Sequence, residues 1–309
     1  MKNITIIGSG SFGCALAYIL QNNNNVKIWS YTKEECNSIN NKHECLFLPS
    51  IKLKEDIKCY TNYEEALDNS DIIFFVTPSS AIRKTCTEIK KYYKNQDIVI
   101  ASKGMDNGKL LTEVVKEELN INASVISGPS HAEQIAKNIP TYVEFSGNKE
   151  LVKDFEIDNF RINYNEDIIG IEVGAALKNV ISLASGIIEG LNYESNTVSF
   201  IITEGLKEIK EIGIKLGAKE STFYGLSGLG DLITTTISLD SRNKRAGLLF
   251  AKGKKIEEIK REVGMTIEGL DSLNNAYLII DKYKLDCPLI TNLYNIIYNN
   301  KNIKDILKF

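Results

Sequence analysis

The segment Gly8-Ser9-Gly10-Ser11-Phe12-Gly13 constrains this chain most. It is a GxGxxG run between an apolar stretch, Ile4–Ile7, and a stretch with helical periodicity, 11–21. The first glycine permits a tight turn, the second lets backbone approach a pyrophosphate, and the third lets helix and strand pack closely. The start of that helix offers unpaired N–H groups and a partial positive charge to an anion. A second apolar run, Val26–Trp29, follows at the right distance for a βαβ unit. In this context the motif predicts a dinucleotide site built by Gly8, Gly10, Ser11, Phe12 and Gly13.

The alternation continues. Strands are expected at 71–76, 97–101, 123–126 and 141–145, with helices near 61–67, 79–93, 110–119 and 131–137. Thr61 and Glu64 read as a capping box for the first of these helices. Apolar strands alternating with helices imply a doubly wound, mostly parallel α/β sheet covered on both faces. After about residue 166 the period changes to helical throughout. Long helices are expected at 168–189 and 198–215, shorter ones at 242–252, 256–263, 269–283 and 289–298, and an extended piece at 263–265. The reading is a Rossmann-type dinucleotide-binding domain over 1–166 and an all-helical substrate and catalytic domain over 167–309. With 309 residues, each has enough chain for its own core.

Composition limits the partners. The net charge of −3 argues against nucleic acid or an anionic membrane. No apolar run approaches the ~20 residues of a membrane span, so no membrane insertion is expected. No leader is read at the start, so the expected location is the cytoplasm. The cysteines at 14, 36, 45, 59, 86 and 287 form no CxxC pair, which argues against zinc; no metal is expected, and reduced buried thiols are. Only five of 37 basic residues are arginine, so each arginine stands out as a candidate for bidentate phosphate recognition.

At the end of the second strand, Ser30-Tyr31-Thr32-Lys33 offers neither a carboxylate for the ribose hydroxyls nor an arginine for a 2′-phosphate. Lys33 reads as a solvated helix-start residue. NAD and NADP are both expected to serve.

Further motifs follow in order: Ala101-Ser102-Lys103-Gly104, Gly128-Pro129-Ser130-His131-Ala132, the run from Glu172 to Val180 containing Lys178, and Gly225-Leu226-Ser227-Gly228-Leu229-Gly230-Asp231-Leu232 followed by Ser241-Arg242-Asn243. With these the chain closely resembles the bacterial NAD(P)-dependent sn-glycerol-3-phosphate dehydrogenases, from the glycine loop to at least Glu268. The resemblance implies that Lys178 transfers the proton, with Lys103, Asp231 and Thr235 beside it. It implies substrate contacts at Lys103, Gly128, Ser130, Lys178, Asp231, Ser241, Arg242 and Asn243. It implies cofactor contacts at Ser11, Phe12, Tyr31, Lys103, Ala132, Arg242, Thr266 and Glu268. The implied substrates are dihydroxyacetone phosphate and sn-glycerol 3-phosphate, made for phospholipid synthesis, and a homodimer is compatible with it.

There are departures from the family pattern. Tyr31 stands where many members have Arg or His, His131 replaces a Phe and reads as a packing residue, Glu204 replaces an Arg, and Asn192–Asn196 replaces a glycine-rich turn.

The chemistry independently asks for such residues. Oxidising a secondary alcohol needs a base for the hydroxyl proton, and a lysine serves if burial or a second cation lowers its pKa. Lys178 lies among small and apolar residues, where a solvated lysine is out of place, and Lys103 would approach it from the other domain. Arg242, with Asn243, suits a substrate phosphate. Two rival readings stay open: a related two-domain 3-hydroxyacid dehydrogenase, and a non-catalytic NAD(P) sensor. The Ser-Arg-Asn signature argues against the first, and the complete lysine and aspartate set argues against the second.

Overall fold

The computed structural model describes residues 1–238 and 241–308. The chain forms two compact units: Met1–Ser102 with Leu111–Ile168, and Lys103–Leu110 with everything from Ile169 onward.

The first unit is built on an eight-stranded sheet. Its spatial order is Phe160–Tyr164, Thr141–Ser146, Ser124–Ser127, Asp97–Ile100, Ile72–Phe75, Asn3–Ile7, Asn25–Trp29 and Lys58–Tyr60. Only the pair Ser124–Ser127 with Thr141–Ser146 is antiparallel. The central strand Asn3–Ile7 aligns Ile4 with Val26 on one side and Ile72 on the other, so its side chains are buried on both faces. That is why it reads as an unbroken apolar run. Sheet order reverses at this strand, and in open α/β sheets ligands bind beyond the strand ends at such a point. Gly8 is the next residue.

The parallel α/β expectation is therefore met, with additions. The strands at 58–60 and 160–164 and the helix Lys33–Lys42 lacked strong periodicity and emerge only from the packing. The capping box shifts by one residue: Asn62, not Thr61, caps the helix Tyr63–Leu67, its side chain accepting from the Glu65 N–H.

The thiol expectation is corrected at four positions. Cys14 pairs with Cys45, and Cys36 with Cys59, as disulfides. Their separations of 31 and 23 residues carry no local signature; the helices and the short strands of 44–60 bring them together. Cys86 and Cys287 are free and buried, and burial pushes each thiol up to about 12, which leaves it unreactive.

The second unit is helical around one core, with the small hairpin Met105–Asp106 and Lys109–Leu110 docked on it. Asn275 holds the hairpin, accepting from Gly108 N at 2.7 Å and donating to Met105 O at 3.3 Å. The 23-residue helix Ile168–Gly190 is the unit's axis. By length and composition it could cross a membrane, but 89% of its apolar window is buried inside the protein. It is apolar because neighbouring helices surround it. The piece at 263–265 is not extended; Val263 ends a helix that stops at left-handed Gly264.

The axial helix crosses the helix Arg242–Ala251 at almost backbone distance. A Cβ on Gly186 would land on the Lys244 carbonyl, and one on Gly247 would land on the Leu183 carbonyl. Both obstacles are main-chain atoms in helices and cannot turn aside. Gly186→Ala is therefore expected to force the helices apart and lower stability by about 1–3 kcal/mol or more, read as a fall in Tm.

Glu208, on the helix Ser195–Leu216, is 2% exposed. Its carboxylate accepts the Leu289 and Ile290 N–H groups at 2.7 and 2.8 Å, capping the helix Pro288–Tyr298. Burial pushes this carboxyl up to about 7, against the pull of the two N–H groups. Between the unfolded value near 4.5 and about 7 the folded chain holds the extra proton. The associated stability is complete at low pH and is lost as pH rises through 7. Glu208→Gln should flatten that slope, by on the order of 2 kcal/mol between pH 5 and 8, measured by denaturant unfolding at the two pH values.

Candidate active site

In the second unit, Lys178 sits on the axial helix with its side chain 7% exposed. Its Nζ donates to Asp231 Oδ1 at 2.5 Å and to Thr235 Oγ1 at 2.8 Å. Lys103, at the start of the docked hairpin segment, donates to the other Asp231 oxygen at 2.8 Å. Asp231 and Thr235 are one turn apart on the helix Asp231–Ile237, and Thr235 Oγ1 lies 3.4 Å from Asp231 Oδ1. One buried carboxylate thus bridges two ammonium groups.

The local backbone explains the placement. Leu226–Gly230 is a single π-helical turn, closed by Gly230 N donating to Gly225 O. A Cβ at Gly228 would meet the Phe223 carbonyl, so the turn tolerates no side chain there. Gly174, one turn before Lys178, packs against Ser227 O at a hypothetical Cβ distance of 2.7 Å. Glycines on both sides let the π turn lie against the axial helix and deliver Asp231 to Lys178. Such turns recur at functional sites.

Charge follows from this packing. Burial lowers the Lys178 amine to about 7; Asp231 opposes the shift and the Lys103 ammonium adds to it. For Asp231 burial alone would raise the carboxyl, but the two ammonium groups overcome it and hold it below the usual range. The result is a lysine able to exchange a proton near neutrality, held in place by a permanently ionised partner.

The hydrogen bonds continue along the axial helix. Asn179 Oδ1 accepts from Asn243 Nδ2 at 2.9 Å, and Asn243 Oδ1 accepts from Gly269 N at 2.8 Å. Ser182 Oγ shares a 2.9 Å contact with Ser241 Oγ and donates to Thr235 O at 3.2 Å. Ser241 caps the helix Arg242–Ala251, accepting from Lys244 N. Asn243 is therefore largely committed to internal ties, leaving one N–H of its amide. Arg242, the first residue of its helix, is exposed, as is Thr266; Glu268 opens the helix Glu268–Tyr283. Asn179 and Ser182 were not singled out in the sequence. Their only signal is position, beside Lys178 and one turn beyond it.

In the first unit, Gly8 has φ +125°, and a Cβ there would meet Val76 O at 2.7 Å. A Cβ on Gly13 would strike the Gly8 carbonyl, while one on Gly10 would meet nothing within 4 Å. Gly8 and Gly13 are fixed by protein contacts, and the space over Gly10 is open. Gly10 also heads the ten-residue helix Ser11–Leu20 with no side-chain cap. An open cradle at an uncapped helix start fits a pyrophosphate. Ser11 Oγ donates to Phe47 O at 2.8 Å, and Tyr31 is 82% exposed.

Gly128 (φ +152°) lies against Val143, and Ser130 Oγ turns back onto Gly128 O at 2.9 Å. Ala132 begins a short helix whose N-cap is His131, and the imidazole Nε2 is buried without a hydrogen-bond partner. Glu204 pairs with Lys207 on its own helix. One feature escaped the sequence reading: the carboxylate of Glu35 folds back onto Ser9 and Ser30. Its signal was Thr32-x-x-Glu35, a capping-box spacing at the start of the helix Lys33–Lys42. Among the described residues no group of three or more His, Cys, Asp or Glu side chains could hold a metal ion.

A glycine-loop sheet unit joined to a helical unit with a buried lysine–carboxylate cluster defines a nicotinamide-dependent dehydrogenase of two-domain build. Residues 3–152 match the family model described as NAD-dependent glycerol-3-phosphate dehydrogenase N-terminus, and residues 167–308 match its C-terminus. The chain belongs to the NAD-dependent glycerol-3-phosphate dehydrogenase family. It is similar to the glycerol-3-phosphate dehydrogenase [NAD(P)+] of Fusobacterium nucleatum, at 45% identity over 98% of this chain and 94% of the relative. The Clostridium tetani protein of the same description is 41% identical over 98% and 90%. The crystal structure of glycerol-3-phosphate dehydrogenase from Coxiella burnetii superposes with a TM-score of 0.95 at 32% identity, covering 99% of this chain and 98% of that one.

Proposed function

We infer that this chain catalyses the reversible NAD(P)-dependent interconversion of dihydroxyacetone phosphate and sn-glycerol 3-phosphate. The observation that carries the reading is the buried Lys103–Asp231–Lys178–Thr235 cluster, which has the proton acceptor that secondary-alcohol chemistry requires. Family membership supplies the substrate class and disfavours both the 3-hydroxyacid dehydrogenase and the sensor readings.

A bound nicotinamide supplies or accepts the hydride. The protein's own part is proton transfer and positioning. In the oxidative direction neutral Lys178 takes the C2 hydroxyl proton; in the reductive direction its ammonium returns it. Asp231 and Thr235 hold the amine, and Lys103 places a second positive charge beside the developing alkoxide. Gly10 and the N–H groups that follow it are assigned to the dinucleotide phosphates, and Ser11, Phe12, Tyr31, Ala132, Thr266 and Glu268 to further cofactor contacts. Arg242 is assigned to the substrate phosphate, together with Gly128, Ser130, Ser241 and the free N–H of Asn243.

The test is turnover of dihydroxyacetone phosphate with NADH or NADPH. No turnover with either cofactor, or equal turnover of unphosphorylated dihydroxyacetone, would sink the reading. Arg242→Ala is expected to raise the KM for dihydroxyacetone phosphate by about 10- to 100-fold, the ~1.5–3 kcal/mol of a hydrogen bond to a charged group, with a smaller change in kcat. Steady-state kinetics on the two proteins checks this.

The family relationship favours a cytoplasmic role in making glycerol 3-phosphate for phospholipids.

A further inference from the structure

Glu35 stands in the first turn of the helix Lys33–Lys42, half-buried. Its Oε2 accepts from Ser9 Oγ and, at 3.1 Å, from Ser30 Oγ; its Oε1 accepts from Thr32 Oγ1 at 2.8 Å. Ser9 and Ser30 are themselves joined at 2.7 Å and buried. The positions of these serines give the cluster its meaning. Ser9 is the variable residue between the first two glycines of the loop. Ser30 directly follows the second strand, and Gly8 N donates to Trp29 O at 3.0 Å, tying the loop to that strand end. In a dinucleotide-binding sheet this corner is where the adenosine ribose is read, by a carboxylate for free hydroxyls or an arginine for a 2′-phosphate. The strand itself ends without a carboxylate, but the helix after it returns one to the same place.

We propose that Glu35 is the residue that reads the adenosine 2′ position, accepting the ribose hydroxyls of NAD(H) and disfavouring the 2′-phosphate of NADP(H). This rests on the dinucleotide-binding reading of the glycine loop. A carboxylate has about four lone-pair sites, and here three serve serine and threonine hydroxyls. Those hydroxyls can rotate, so ribose O–H groups can take their places without leaving a buried group unpaired. A 2′-phosphate has no proton to offer at neutral pH and would bring like charge against Glu35.

The surroundings offer little compensation. The chain has no arginine before Arg83. Lys27 is engaged by the carbonyls of Glu65 and Asp68. Lys33 is exposed, and exposed Glu34 lies beside it. Thr32 also caps the helix, accepting from Glu35 N at 3.3 Å, so a purely structural role for Glu35 must be separable by the test.

The test is calorimetric binding of NADH and NADPH to the full-length protein, which requires no turnover. The parent is expected to bind NADH at least about tenfold more tightly, and Glu35→Gln to bring the two within about threefold, chiefly by strengthening NADPH. A parent that binds NADPH as tightly as NADH overturns the proposal. So does a Glu35→Gln protein that keeps the parent's ratio, including one in which both affinities fall together, the signature of a structural role. Failure of either cofactor to bind the parent would overturn the underlying dinucleotide reading and the proposal with it. If the variant does not fold, the parent alone decides: adenosine 5′-diphosphate must bind more tightly than adenosine 2′,5′-bisphosphate, and the reverse order overturns the assignment.

Discussion

Lys178→Ala is expected to lower kcat for dihydroxyacetone phosphate reduction by at least about 100-fold, within the ~10²–10⁴ range of general acid–base groups. NADH affinity should change little, because the glycine loop belongs to the other unit. Lys178→Arg should be nearly as damaging, since a guanidinium does not give up its proton near neutral pH. The pH dependence follows from the burial that lowers this amine to about 7. Oxidation of glycerol 3-phosphate needs the neutral amine, so its rate should rise with pH through about 7. Reduction needs the ammonium, so its rate should fall over the same interval. Rate profiles in both directions, with single-turnover measurements on the alanine variant, check this. A variant retaining more than about a tenth of the parent kcat would remove Lys178 from the chemistry and turn attention to Lys103.

The sequence exposed this site unevenly, for physical reasons. Lys178 was legible because a lysine among Val173, Ala175, Ala176, Leu177 and Val180 contradicts its apolar setting, and the structure buries it. The glycine loop was legible because Gly8 and Gly13 answer local steric demands and Gly10 leaves open space at a helix start. Local rules failed where the partner is remote in sequence. Lys103 was expected from the dinucleotide-binding domain, but a hairpin held by Asn275 groups it with the helical unit. The internal ties of Asn243, to Asn179 and Gly269, join residues 64 and 26 positions away and had no local signal. Glu35 escaped because the carboxylate was sought at the strand end, whereas the first turn of the next helix carries it back there. The disulfides escaped because spacing excluded only the CxxC pattern, not pairing through the fold.

Asp231 is where charge balance and structure meet, and its replacement should affect both. Asp231→Asn leaves the side chain nearly isosteric but removes the carboxylate that is ion-paired to both Lys178 and Lys103. Breaking a buried ion pair from one side costs about 3–5 kcal/mol when the remaining charge has no escape. Lys178 does have one: it can deprotonate. Without Asp231 the opposition to burial and to the Lys103 ammonium is gone, so its pKa should drop below the parent's value of about 7. Two readouts follow. Thermal unfolding should show a loss of stability that is largest at acid pH, where both lysines are forced to stay charged, and smaller above neutrality. The rate of dihydroxyacetone phosphate reduction should fall steeply at pH 7.5, because the ammonium donor is scarce, and its profile should move toward acid. Glycerol 3-phosphate oxidation should lose less on this account, since the neutral base is then abundant. An Asp231→Asn protein with lower kcat but an unmoved pH profile would mean that Asp231 acts only by positioning, and that burial alone sets the lysine's proton affinity.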